Sequence, residues 1–151
     1  MNLFGVMEVS GSALSAERLR AEVVAANMAN AETTRTPEGG PYRRQHVVFQ
    51  SQASQTGSFA DHLASISDGD TFDHDIGGVK IAAVVPDPSS GQRRYDPQHP
   101  DADKDGYVEY PDINPLTEMV DLLGATRTYG LNNSAVQATK GMISSSLDIL
   151  K

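Results

Sequence analysis

The residues whose spacing comes nearest to known chemistry are Asp101, Asp103, Asp105 and Gly106, with Val108 following and Asp112 at the twelfth place from Asp101. Carboxylates at alternate positions, a glycine turn and an acidic twelfth residue are the parts of an EF-hand calcium loop. The flanks argue against it. An incoming helix would have to pass through Pro97 and Pro100, and Pro111 stands where the exit helix should begin. Asp112 also lacks the reach of a glutamate. An acidic turn whose aspartates bond nearby backbone amides is the preferred reading, with a secreted calcium-binding module as the alternative.

A second acidic group, Asp73, His74 and Asp75, could flank a metal or orient an imidazole, but His46, His62 and His99 show no ligand spacing with it. A polar loop explains it more simply. The chain has no Gly-x-Ser-x-Gly elbow, phosphate-binding glycine loop or dinucleotide fingerprint. No catalytic residue, metal ligand, cofactor or small-molecule substrate is therefore expected. A small hydrolase remains only as a rival class.

The elements that would position these residues are more informative. Every seventh residue near the C-terminus is apolar, through Leu122, Tyr129, Val136, Ile143 and Leu150. The companion heptad column reads Met119, Thr126, Asn133, Lys140 and Leu147, apolar only at its ends. Such a seam with a polar middle selects register and partner at a cost in stability, which suits a helix that packs into an assembly. Gly124, Gly130 and Gly141 weaken this helix by about 1 kcal/mol each relative to alanine, so packing must hold it.

At the other end a weaker stripe runs through Phe4, Met7, Leu14, Leu19, Val23, Ala26 and Met28. Gly5 and Gly11 interrupt its start, so the firm N-terminal helix is expected over residues 12–31. All eight prolines lie from Pro37 to Pro115, which confines helix-breaking chemistry to the middle. Within that middle, residues 42–49 and 79–85 read as strands, the second apolar enough to be central in a small sheet. Residues 94–95 and 106–110 are candidate short strands. Residues 50–76 are polar and read as an exposed loop with a short helix.

The expected fold is thus α+β, with long N- and C-terminal helices forming a paired core around a small, mainly β insert. The segments are 1–36 (helical, for assembly), 37–113 (a β-rich body with a flexible loop at about 50–78) and 114–151 (the heptad helix). A net charge of -8 disfavours nucleic acid, and Arg43, Arg44, Arg93 and Arg94 form only isolated pairs. Cysteine is absent, so no disulfide or thiolate site is available. No transmembrane span and no cleavable signal are evident, Glu8 interrupting the only apolar run near Met1.

Two blocks carry a family likeness. The first is Asn27, Met28, Ala29, Asn30 and Ala31, continuing through Thr33, Thr34, Arg35, Thr36, Pro37, Glu38, Gly39, Gly40, Pro41, Tyr42, Arg43 and Arg44. The second is Tyr95, Asp96, Pro97, His99, Pro100, Asp101, Ala102 and Asp103, then Gly106, Tyr107 and Val108. With Asn114, Pro115, Glu118, Met119, Val120 and Asp121, they resemble the FlgC family of bacterial flagellar basal-body rod proteins. The resemblance covers nearly everything outside residues 50–76. It implies a structural subunit of the proximal rod, polymerised into a helical shaft that transmits motor torque across the periplasm. The implied partners are copies of itself, other rod proteins, the rod-base adaptor and the export apparatus. Export through the flagellar type III system without signal cleavage is implied as well. Assembly seam residues are expected at Leu122, Tyr129, Val136, Ile143, Leu150, Met119, Leu147, Leu14, Leu19 and Val23.

Overall fold

Asn114 and Pro115 start the C-terminal helix in a way their chemistry explains. The Asn114 carboxamide oxygen accepts the Leu116 backbone N–H at 3.0 Å, and Pro115 takes the first helical position, where a missing N–H costs nothing. The structure, a computed structural model, describes residues 3–52 and 77–149. Its elements in chain order are α1 (Leu3–Ala29), β1 (Gln45–Ser51), β2 (Val79–Pro86), β3 (Gln92–Tyr95), β4 (Tyr107–Tyr110) and α2 (Pro115–Ile149). The fold is α+β: among the described residues two long helices pair, and four short strands lie between them in sequence. Most of the expected loop at 50–76, the Asp73, His74, Asp75 group, His62 and Leu150 fall outside the described residues.

The two helices run antiparallel. Asn27, near the end of α1, meets Glu118, near the start of α2, and Arg20 reaches Asp121 at 3.5 Å. Ser10, Ala16, Val23, Val24 and Asn27 are buried on α1, facing Glu118, Ala125 and Thr139 on α2. These are mostly small or polar residues, so the helices approach closely but bury little apolar area. Six apolar residues are buried among those described, two of them, Val108 and Ile113, beneath the β segment. A core this small leaves much of the apolar surface uncovered.

α1 begins nine residues before its expected start at position 12. Gly11 has open space where a side chain would be, while Ser10 is buried and Val6, Met7 and Val9 are half-buried. Packing along that side outweighs the loss of about 1 kcal/mol per glycine.

The strands form two separate two-stranded antiparallel ribbons, β1 with β2 and β3 with β4. β2 was expected at the centre of a sheet. Instead it pairs, among the described residues, with β1 alone, and Val84 and Val85 are exposed. β-branched residues favour extended backbone whether or not both faces are covered, so strand formation was legible and burial was not. A bulge between Val48 and Phe49 twists the ribbon. Its far end docks on α1: Ser12 Oγ accepts the Val79 N–H at 3.1 Å and donates to the Val9 carbonyl at 2.8 Å. Gly78 permits that approach, since a Cβ there would lie 2.4 Å from Ser12 Oγ.

In the second ribbon Tyr95 and Tyr107 pack edge to face at 5.3 Å, and the Arg94 guanidinium sits 4.4 Å from the centre of the Tyr110 ring. Arg93 likewise sits 5.3 Å from the centre of the Tyr107 ring, so both arginines cover their own hairpin.

Candidate functional site

Beneath the ribbons the two helices close on a network of polar side chains. Asn27 and Glu118 are each about 1% exposed. The Asn27 oxygen accepts the Gln45 N–H at 2.9 Å and the Tyr42 hydroxyl at 3.2 Å. Its nitrogen donates to the Gln45 carbonyl at 2.9 Å and to Glu118 Oε2 at 3.1 Å. Arg44 Nε donates to the other Glu118 oxygen at 2.6 Å, and Arg44 Nη2 lies 3.4 Å from Asp121. The buried carboxylate is thus paired and hydrogen-bonded, the condition under which such a charge is tolerated. Burial first, and the Glu118 charge second, push the Tyr42 phenol above its ordinary pKa. The network fastens α1, α2 and the start of β1 together.

The other motif residues also have structural partners. Asn30 Nδ2 donates to the Ala26 carbonyl at 2.9 Å, its oxygen accepts the Thr33 hydroxyl at 3.1 Å, and α1 ends there. Gly39 and Gly40 have φ of 91° and 78°, the left-handed region that a turn between Thr36 and Gly40 demands. Gly106, at φ 77°, closes the turn from Asp103 and accepts the Asp96 N–H at 2.9 Å. Half-buried Asp96 thereby anchors a segment in which Pro97 and Pro100 are themselves exposed, as are Ala29 and Pro37.

The calcium-like carboxylates go separate ways. Asp101 Oδ2 accepts the Thr34 hydroxyl at 2.8 Å and Oδ1 lies 3.7 Å from Arg35, while Asp103 Oδ1 accepts the Lys104 N–H at 2.8 Å. Asp112 Oδ1 accepts Gln92 Nε2 at 2.7 Å, beyond a β4 strand that carries it away from Asp101. Among the described residues no group of three or more His, Cys, Asp or Glu side chains is placed to hold a metal ion.

On α2, Leu122, Val136 and Ile143 are half-buried toward α1, while Tyr129 is more exposed. Met119 and Leu147 are exposed, together with Thr126, Asn133 and Lys140; the positions beside α1 are Glu118, Ala125, Asn132 and Thr139. A heptad column has neighbours at both three and four residues' distance, and the smaller, more polar one faces the closely set partner. That alternative column was visible in the sequence at an interval of seven. On α1, Val23 is buried, Leu14 half-buried and Leu19 exposed.

The side of α2 turned away from α1 is apolar. Leu116, Val120, Leu123 and Leu131 are 63–69% exposed, and Met142 lies further along. Over residues 7–35 the chain matches the family described as "Flagella basal body rod protein", and over residues 104–149 "Flagellar basal body rod FlgEFG protein C-terminal". A relative from Borreliella burgdorferi, named flagellar basal-body rod protein FlgC, is 40% identical, the match covering all of this chain and 99% of the relative. The chain belongs to the FlgC family. FlgC proteins from Bacillus subtilis, 43% identical over the full length of both chains, and Salmonella typhimurium, 33% identical over 99% of this chain and 98% of the relative, match end to end as well. The FlgC likeness therefore spans both helices and everything between them.

Proposed function

We propose that the chain is a structural subunit of the flagellar basal-body rod, polymerising through faces of α1 and α2 into a shaft that carries motor torque. The observation that carries this reading is the outward stripe of Leu116, Val120, Leu123 and Leu131, exposed along the first half of the 35-residue α2. An apolar stripe of this length on a polar chain is a surface for association. Interlocked helix faces give stiffness, because close-packed side chains settle in discrete arrangements and resist sliding. In this reading residues 1–36 and 114–151 form the assembly core and 37–113 a body outside it. The neighbours are further copies, other rod proteins, the rod-base adaptor and the export apparatus. The subunit works in the proximal rod within the periplasm, delivered by the flagellar type III route with its N-terminal helix intact.

The deciding experiment is deletion of the gene, followed by complementation. Cells without the chain should lack flagella and motility, and the wild-type gene should restore both. Normal flagellation in the deletion strain would defeat the proposal.

A further inference from the structure

A groove runs between the helices along Glu17, Ala21 and Ala25 of α1, with Ala125 and Tyr129 of α2 on its other side. Its walls are mostly apolar because Ala21 and Ala25, one helical turn apart, carry only methyl groups. At one end lies a carboxylate oxygen that no described residue hydrogen-bonds. Glu17 Oε2 is buried without a hydrogen-bond partner among the described residues, its nearest cation being Arg20 at 3.7 Å, which is shared with Asp121. Arg18 and Glu22 on the rim pair with each other. The groove is thus apolar, with a buried carboxylate short of a hydrogen-bond donor at one end.

The outward face of α2 has the complementary pattern. Leu116, Val120 and Leu123 form an exposed ridge, and Arg127, the next residue along it, has no ion pair among the described residues. Resting on the rod-subunit reading, we propose that this groove receives the outward ridge of α2 from a second copy of the chain, with Arg127 against Glu17 and Leu123 over Ala21. Steps of four residues match on both sides: 17, 21 and 25 lie opposite 127, 123 and, within one residue, 120. That pairing sets the incoming α2 antiparallel to α1 and so parallel to the α2 already in place. Groove and ridge lie on different faces, so the contact is heterologous and can repeat from copy to copy without closing on itself.

The chain has no cysteine, which permits a direct test. Ala21→Cys and Leu123→Cys variants are co-expressed in a deletion strain, and basal bodies are isolated and oxidised. A disulfide joining one variant to the other is expected, with none when either is expressed alone. Charge reversal supplies the second arm: Glu17→Lys and Arg127→Glu should each impair swarming, and the two together in one chain should restore it. Wild-type complementation without the mixed disulfide, or a double reversal no better than the worse single, overturns the contact while leaving the rod reading intact. A Leu123→Cys crosslink to a different rod protein, or to itself, also overturns it. A deletion strain that swims normally would instead defeat the rod reading itself.

Discussion

The Asn27 amide nitrogen lies 3.1 Å from Glu118 Oε2, joining residues 91 positions apart in the chain inside a buried junction. Each group in that junction depends on the others, since a donor or acceptor stranded in a dry site costs the full penalty of leaving water.

Asn27→Leu should therefore destabilise the fold by about 2–3 kcal/mol, because it strands the Gln45 backbone groups as well as Glu118. Glu118→Ala should cost about 3 kcal/mol, leaving the half-buried Arg44 guanidinium with only the longer Asp121 contact at 3.4 Å. Urea denaturation followed by circular dichroism measures both. Changes below about 0.5 kcal/mol, the size of an ordinary surface substitution, would mean the junction contributes little.

Tyr42 should ionise above the ordinary phenol value of 10.0. Its folded pKa is raised, so the protonated phenol is the form the fold favours. The associated stability is fully present below pH 10 and is lost as the pH rises through the folded pKa. Alkaline titration of the Tyr42 ring resonance by NMR checks this. Glu118→Gln should lower the midpoint only partway, because burial is the larger cause and remains. A return to the unperturbed value in that variant would make charge the dominant cause instead.

Gly106 and Gly40 share nearly the same backbone angle, φ 77° and 78°, but not the same surroundings. A Cβ at Gly106 would meet the Tyr95 ring at 2.9 Å, whereas nothing lies within 4 Å at Gly40. Gly40→Ala should cost about 1 kcal/mol from conformation alone, and Gly106→Ala about 2 kcal/mol or more. Thermal melts of the two variants should rank in that order. Equal melting temperatures would mean that the Tyr95 ring moves aside freely.

Millimolar calcium should leave the melting temperature unchanged, and a chelator should have no effect. Asp101 and Asp112 are held by Thr34 and Gln92, on separate parts of the chain. A calcium-dependent rise, abolished by Asp101→Asn, would show that the loop rearranges around an ion after all.

Much of this architecture was legible in the sequence because local chemistry sets it. Proline placement marked the helical ends, and β-branched runs marked β1 and β2. Side-chain placement between helices was less legible. Glu118 reads locally as an exposed first-turn acid, and only the approach of Asn27 and Arg44 from distant segments makes its burial tolerable. The Met119 column is apolar at its ends, whereas within one chain Ala125 and Thr139 are the positions of α2 that become buried. Val84 and Val85 show the same limit from the other side, since apolar residues specify a strand without specifying what covers it.

The attachment of β1 to α1 has a mechanical consequence. Both backbone groups of Gln45 are gripped by the one Asn27 amide, and the neighbouring Arg44 is tied to α2 through Glu118. A sideways pull on the first ribbon is thus met at its root by several short bonds acting in parallel, reaching both helices at once. The glycine turn at Gly39 and Gly40 lies off that path of force, so it can bend without loosening the joint.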